Sequence, residues 1–163
     1  MIVVTDTSVV LNISWLEMDE VLEKLHSEVW APEEVRVEFE RLAQIDPRFH
    51  GLQFPLFIRV ARPSLIPEEL LQNNRLDRGE QAALALALEK GIIDILMDEA
   101  AGRKVARGLG LRPSGLLGLL MAGKQAGLIP EVLPLLDRLR TGARFYMSDE
   151  LRALMAERTG ESI

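Results

Sequence analysis

Residues 2–8 read Ile-Val-Val-Thr-Asp-Thr-Ser. Four β-branched residues make a short run that suits a buried strand, and an acid with two hydroxyls follows at once. Such strands buried on both faces are typical of parallel sheets. In open α/β sheets, ligands gather beyond the carboxyl ends of the strands, so Asp6 stands where chemistry is expected.

The rest of the chain repeats this alternation. Val9 to Leu25 has helical spacing, with an acidic break near Glu17 to Glu20. Ser27 to Ala31 is a second strand candidate. Pro32 stands where a helix favours its first residue, and Val35, Phe39 and Leu42 form an apolar stripe after it. Residues 46–55 carry Pro47, Gly51 and Pro55 and read as a loop. A third strand is expected within Leu56 to Ala61. Asp77 opens an apolar helix, Gln81 to Leu88, closed by Lys90-Gly91. Ile92 to Met97 is the next strand, Ala100 to Gly108 a basic helix, and Leu109 to Pro113 a short strand. Helices are expected at about 115–126, 131–140 and 149–158. Strands alternating with helices predict an α/β/α arrangement around a central parallel sheet, here as one domain over 1–163.

Composition narrows the chemistry. The chain has 163 residues, 48% of them hydrophobic, which allows a sizeable core. It holds no cysteine and two histidines, His26 and His50. Disulfide frameworks, thiolate sites and histidine-rich zinc sites are therefore excluded. A bound metal would rest on carboxylates, which suits hard ions such as Mg2+ or Mn2+. The first residues have no basic flank and no apolar run approaches the roughly 20 residues of a membrane span. A cytoplasmic protein is expected. Net charge is −6, but residues 1–99 hold 9 basic and 19 acidic side chains and residues 100–163 hold 10 and 6. The basic half suits an anionic partner; ordinary surface variation explains it equally well.

Four acids stand at informative places. Asp6 ends the first strand, although an aspartate there also caps a helix. Glu38 lies on the helix after Pro32. At about 100° per residue it falls roughly 60° from the Val35/Phe39/Leu42 stripe. Glu33, Glu34 and Glu40 lie farther round, so Glu38 is best placed to reach inward. Glu80 lies in Asp77-Arg-Gly-Glu80, which equally matches a capping box, and Asp77 competes with it. Asp98 follows the strand ending at Met97; Glu99 competes but reads as a first-turn acid. Thr7 and Ser8 supply hydroxyls beside Asp6. Arg103, Lys104 and Arg107 form a basic helix face able to meet phosphates or simply solvent. No aromatic interleaving suggests base stacking. Ser8 and Ser114 lack a histidine partner, so serine-hydrolase chemistry is a poor fit.

The segments VTDTSVVLN (4–12), APEEVRVEFER (31–41), LDRGEQAALALALEKG (76–91), ILMDEAAGRKVARGLGL (95–111), SGLLGLLMAGKQAGLI (114–129) and LPLLDRLRTGARFYMSDEL (133–151) together resemble the PIN-domain superfamily, including its VapC-type toxin ribonucleases. The resemblance implies a metal-dependent nuclease, most simply a ribonuclease of the toxin–antitoxin type. Its Mg2+ or Mn2+ would be held by Asp6, Glu38, Glu80 and Asp98, with Thr7, Ser8, Asp77 and Glu99 in support. An RNA substrate, an antitoxin partner and a homodimer are further implications. Many members carry aspartate where Glu80 stands. Two other readings compete: a magnesium-binding, phosphoryl-accepting regulatory module, disfavoured by the lack of a suitable lysine, and a catalytically silent nucleic-acid-binding relative.

Overall fold

The computed structural model describes residues 1–162. Five strands form one sheet: β1 (Ile2–Thr5), β2 (Glu28–Pro32), β3 (Arg59–Ala61), β4 (Asp94–Leu96) and β5 (Arg112–Ser114). All neighbouring strands are parallel, in the order β3-β2-β1-β4-β5. Nine α-helices join and cover them among the described residues: α1 (Thr7–Trp15), α2 (Asp19–Leu25), α3 (Glu33–Ile45), α4 (Glu68–Leu71), α5 (Arg78–Lys90), α6 (Ala100–Gly108), α7 (Leu116–Gln125), α8 (Leu133–Gly142) and α9 (Asp149–Thr159). The fold is the three-layer α/β/α arrangement expected. None of these helices is long and apolar enough to cross a membrane.

Alternation along the strands divides the core. Val3, Val29, Ala31 and Leu96 face one layer, built mainly from α1, α2, α3, α7, α8 and α9. Val4, Ile95 and Met97 face the other, built on α5 and α6. A period of two sends adjacent residues to opposite faces, so a one-residue slip of β1 would exchange the two packing sets. The leucine-rich stretch 114–136 is core: Leu116, Leu120, Val132 and Leu136 are fully buried within the chain.

Strand order places the site. The chain leaves β1 toward β2 and β3 on one side, then returns to β4 and β5 on the other. The reversal falls between β1 and β4, which makes a crevice at their carboxyl ends. Asp6 and Asp98 flank it. The Asp6 N–H donates to the Leu96 carbonyl at 3.0 Å and the Met97 N–H to the Ser114 carbonyl at 2.8 Å. The pairing therefore continues one residue beyond each strand and holds both acids in register.

Several boundaries differ from expectation. Pro32 closes β2 and serves as the N-cap of α3, so the helix starts one residue later. Its stripe is completed by Ala43, four residues after Phe39, with Leu42 only partly buried. Only Arg59–Ala61 of 56–61 pairs as a strand, and Leu56 is wholly exposed. The strand within 92–97 is shortened to Asp94–Leu96, since Ile93 faces solvent. α4 has no counterpart in the sequence pattern. Its four residues are too few to display a helical period.

The C-terminal segment is tied down by Glu161. Its carboxylate accepts from the Val132 and Leu133 N–H groups at 2.8–3.0 Å, at the start of α8, and pairs with Lys124 at 2.8 Å. Burial works to raise its pKa, but the Lys124 ammonium and the two N–H donors outweigh it and bring it to about 2. A carboxyl whose folded pKa is depressed stabilises above its unfolded value of about 4.3 and loses that contribution as pH falls toward the folded value. Glu161→Gln should therefore cost about 1–3 kcal/mol at pH 7, and the gap to wild type should narrow between about pH 4.5 and 2. Urea denaturation across pH checks this; equal stability at pH 7 would show that the ion pair and its hydrogen bonds contribute nothing.

Candidate active site

Asp6 stands between β1 and α1 and does two structural jobs. One carboxylate oxygen accepts from the Val9 N–H at 2.9 Å and caps α1; the other accepts from the Asp98 N–H at 3.3 Å. With 3% exposure it is nearly sealed from water. Burial, then the neighbouring Asp98 and Glu80 carboxylates, hold its pKa well above the usual range against the pull of the two N–H donors.

Asp98 also serves a helix, but not the one that follows it. Its Oδ1 accepts from the Leu116 N–H at 2.8 Å, at the start of α7, and its Oδ2 accepts from the Ser8 hydroxyl at 3.1 Å. Glu99, not Asp98, holds the N-cap position of α6, and it makes no capping hydrogen bond. It is a cap residue rather than the first-turn acid expected. Gly115 allows Asp98 to come this close: a Cβ there would lie 2.8 Å from Asp98 Oδ1. Burial raises the Asp98 pKa, opposed by Leu116, Ser8 and Arg103.

The capping box and the acid-site readings of Asp77 and Glu80 are compatible in the geometry. Asp77 Oδ1 accepts from the Glu80 N–H at 2.8 Å, and Glu80 Oε1 accepts from the Asp77 N–H at 3.0 Å. Glu80 Oε2 remains, buried and without a hydrogen-bond partner. It points toward Gly102, where a Cβ would come within 2.9 Å of it. Burial, with the Asp77, Glu99 and Glu38 carboxylates adding to it, lifts Glu80 to about 7 despite the Asp77 N–H.

Glu38 arrives from α3, on the side its helical angle indicates. Its Oε2, Thr7 Oγ1 and Asp77 Oδ1 all lie 3.4–3.5 Å from the point a Gly79 Cβ would occupy. Burial and Asp77 raise its pKa while Arg41 lowers it.

These side chains line one cleft of about 530 Å³. It holds Asp6, Glu38, Glu80 and Asp98 together with Thr7, Ser8, Asp77 and Glu99. None of these six acids forms an ion pair among the described residues. Arg103, Lys104 and Arg107 lie outside the cleft. Arg103 donates to the carbonyls of Met97 and Asp98, and the other two are exposed on α6. The opposite wall had no signal that tied it to the acids: Arg48, Phe49, Arg144, Phe145 and Tyr146. Arg48 ties it in place, with one guanidinium N–H donating to the Ala143 carbonyl at 3.0 Å and the rest gripping Asp46. Arg144-Phe145-Tyr146 interleaves a cation with aromatics, a local pattern the sequence did contain. Its place beside the acids depends on a loop far along the chain from Asp6.

The donor chemistry fits a hard divalent cation. Every candidate ligand is an oxygen, the acids have no neutralising partner, and Glu80 Oε2 is buried with its bonding capacity unmet. The arrangement is open: among the described residues, no three histidine, aspartate or glutamate side chains already close around a single point. A family profile described as a PIN domain matches residues 2–161. No curated protein and no solved structure matches the chain.

Raised carboxyl pKa values carry a stability cost. A group protonated more readily in the folded state stabilises at low pH and loses that contribution as pH rises from its unfolded value, about 4.3, through its folded value. For Glu80 this spans about pH 4.3 to 7 and amounts to a few kcal/mol. The metal-free protein should melt lower at pH 8 than at pH 5. Glu80→Gln, which keeps the acceptor for the Asp77 N–H, should remove much of that dependence. Manganese should raise the wild-type melting temperature at pH 8 by mass action and raise that of Glu80→Gln far less. Identical melting profiles for the two proteins would remove Glu80 from the site.

Proposed function

The chain belongs to the PIN-domain family, and from that premise we propose that it is a metal-dependent ribonuclease of the toxin type, cutting single-stranded RNA at the acidic cleft. Nuclease activity with divalent metals is what the family as a whole suggests. One observation carries the assignment to this cleft. Four acids from four separate segments meet at the β1/β4 switch point with no cation of the protein paired to them.

In this reading Asp6, Glu38, Glu80 and Asp98 hold Mg2+ or Mn2+. When bound, the ion supplies positive charge against the phosphodiester oxygens and makes water a stronger nucleophile near neutral pH. The chain's residues do the rest. Asp6 and Asp98 keep their carboxylates fixed through the Val9, Asp98 and Leu116 N–H groups and the Ser8 hydroxyl. Glu80 keeps Oε1 on the Asp77 N–H and leaves Oε2 as an unpartnered acceptor for the ion. Arg144, which has no ion pair among the described residues, lines the cleft with the acids and suits the phosphate charge, while Arg48 there is held by Asp46. Tyr146, 89% exposed at the rim, offers a ring on which an unpaired base can stack, which favours a single strand. The cleft contains no lysine, which leaves the phosphoryl-accepting reading without the cation it needs. The toxin role, an antitoxin partner and a homodimer rest on the VapC-type resemblance, since the leucines of 114–136 are occupied in the core.

Cleavage of a labelled single-stranded RNA should require magnesium or manganese and stop in excess chelator. Persistence in chelator would refute the mechanism. Glu38→Gln should lower the rate at least about 100-fold, whereas Glu40→Gln, on the exposed side of α3, should leave it near wild type. The opposite ranking would remove Glu38 from the site. Gly115→Ala should displace Asp98 and slow cleavage by about 10–100-fold in a protein that still folds by circular dichroism. Unchanged kinetics would mean that Asp98 is dispensable.

A further inference from the structure

The acid cleft adjoins a second groove, of about 470 Å³, through Glu38, which lines both. Gly79, on whose far side Thr7, Asp77 and Glu38 converge, also forms part of its wall. Three arginines from separate segments line it: Arg41 on α3, Arg62 just after β3, and Arg78 at the start of α5. All three are exposed. Six other arginines of the chain are ion-paired. Among the described residues, the side chains of Arg41, Arg62 and Arg78 make neither an ion pair nor a hydrogen bond.

Two further features set this groove apart from an ordinary solvated face. Arg78 is the first residue of α5, where the positive end of the helix dipole disfavours a cation. Fold stability gives no reason for it. Glu34 also lines the groove, and its Oε1, turned away from solvent, has no hydrogen-bond partner. Of the other two acids there, Glu33 is taken by Arg36 and Glu38 is shared with the acid cleft. Val37 and Ile66 add apolar surface. Free guanidinium forks beside apolar surface complement a nucleotide, which offers phosphate oxygens and a flat base.

We propose that this groove binds the flank of a single-stranded nucleic acid whose scissile phosphate lies in the acid cleft, with Arg41, Arg62 and Arg78 on its backbone phosphates. The inference rests on the nuclease reading of that cleft. Continuity with the acid cleft favours a strand over an acidic protein segment, because one molecule then supplies both the scissile and the flanking phosphates.

The test is fluorescence anisotropy of a labelled ten-nucleotide strand, in RNA and DNA arms, with calcium present and at several salt concentrations. The full chain is compared with Arg62→Ala/Arg78→Ala, Arg62→Lys/Arg78→Lys and Lys104→Ala/Arg107→Ala. The groove alanine variant should bind at least about 10-fold more weakly. Its plot of log affinity against log salt should flatten by about 0.7 for each phosphate no longer neutralised. The lysine variant should keep the wild-type slope, and the α6 variant should stay close to wild type. The substituted arginines are exposed, so folding is not at stake. Wild-type affinity and slope in the groove alanine variant would overturn the proposal, as would a slope carried by the α6 pair. Binding of a polyglutamate peptide without binding of either oligonucleotide would overturn it in favour of an acidic protein segment. A parallel cleavage assay in manganese separates the two readings. Arginine-dependent binding without cleavage supports the groove and overturns the nuclease reading. Cleavage with arginine-independent binding overturns the groove alone.

Discussion

Everything near the site depends on holding carboxylates together where they repel. Asp6 and Asp98 lie at the ends of adjacent parallel strands, and fixed donors replace the water each loses: two backbone N–H groups for Asp6, and the Leu116 N–H and Ser8 hydroxyl for Asp98. Burial penalises the ionised forms, and their mutual repulsion adds to that. The fold tolerates the arrangement because the strand pairing and two helix N-termini fix the backbone independently of the side chains. A positive charge brought between the acids would relieve both penalties, and the chain supplies none within hydrogen-bonding reach. This imbalance gives the cleft its chemical character.

The apparent competition between structural and chemical roles dissolves at each acid. A carboxylate has two oxygens. Asp6 commits one to the start of α1, Asp98 one to the start of α7, and Glu80 one to the box with Asp77; the second oxygens of Asp6 and Asp98 accept one further bond each, from the Asp98 N–H and the Ser8 hydroxyl, and that of Glu80 accepts none. The capping bond orients the group and restricts its rotamers, which is what a ligand set requires if it is to be ready before an ion arrives. Glycines then set the spacing. Gly102 and Gly115 stand where a methyl group would collide with Glu80 or Asp98, while a Cβ at Gly79 would only just touch the oxygens around it.

Charge is organised around this centre. Acids fill the floor and arginines stand on two of its flanks; of the arginines that line the two grooves, Arg48 is ion-paired, to Asp46, and, among the described residues, Arg41, Arg62, Arg78 and Arg144 are not. Arg103 stabilises the strand end from behind by binding carbonyl oxygens, which leaves the approach to the cleft to Arg48 and Arg144 on one side and to Arg41, Arg62 and Arg78 on the other. A net charge of −6 is thus a poor guide to partners. The field at the site depends on where charges sit, not on their sum.

How much was legible in the sequence follows from range. The alternation of β-branched runs with apolar helices, Asp6 at a strand end, the angle of Glu38 on its helix, and the Asp77–Glu80 box are all local. They arise from backbone periodicity and from hydrogen bonds spanning a few residues, so the sequence by itself determined them. The four-residue α4 escaped because it is shorter than the period needed to detect it. That Asp98 serves α7, that Arg144 to Tyr146 close the cleft, and that Arg41, Arg62 and Arg78 share a groove were decided only by tertiary structure. These depend on where crossovers return the chain. Two segments far apart in sequence meet because their buried faces pack on the same sheet, and the polar side chains carried along leave no periodic trace.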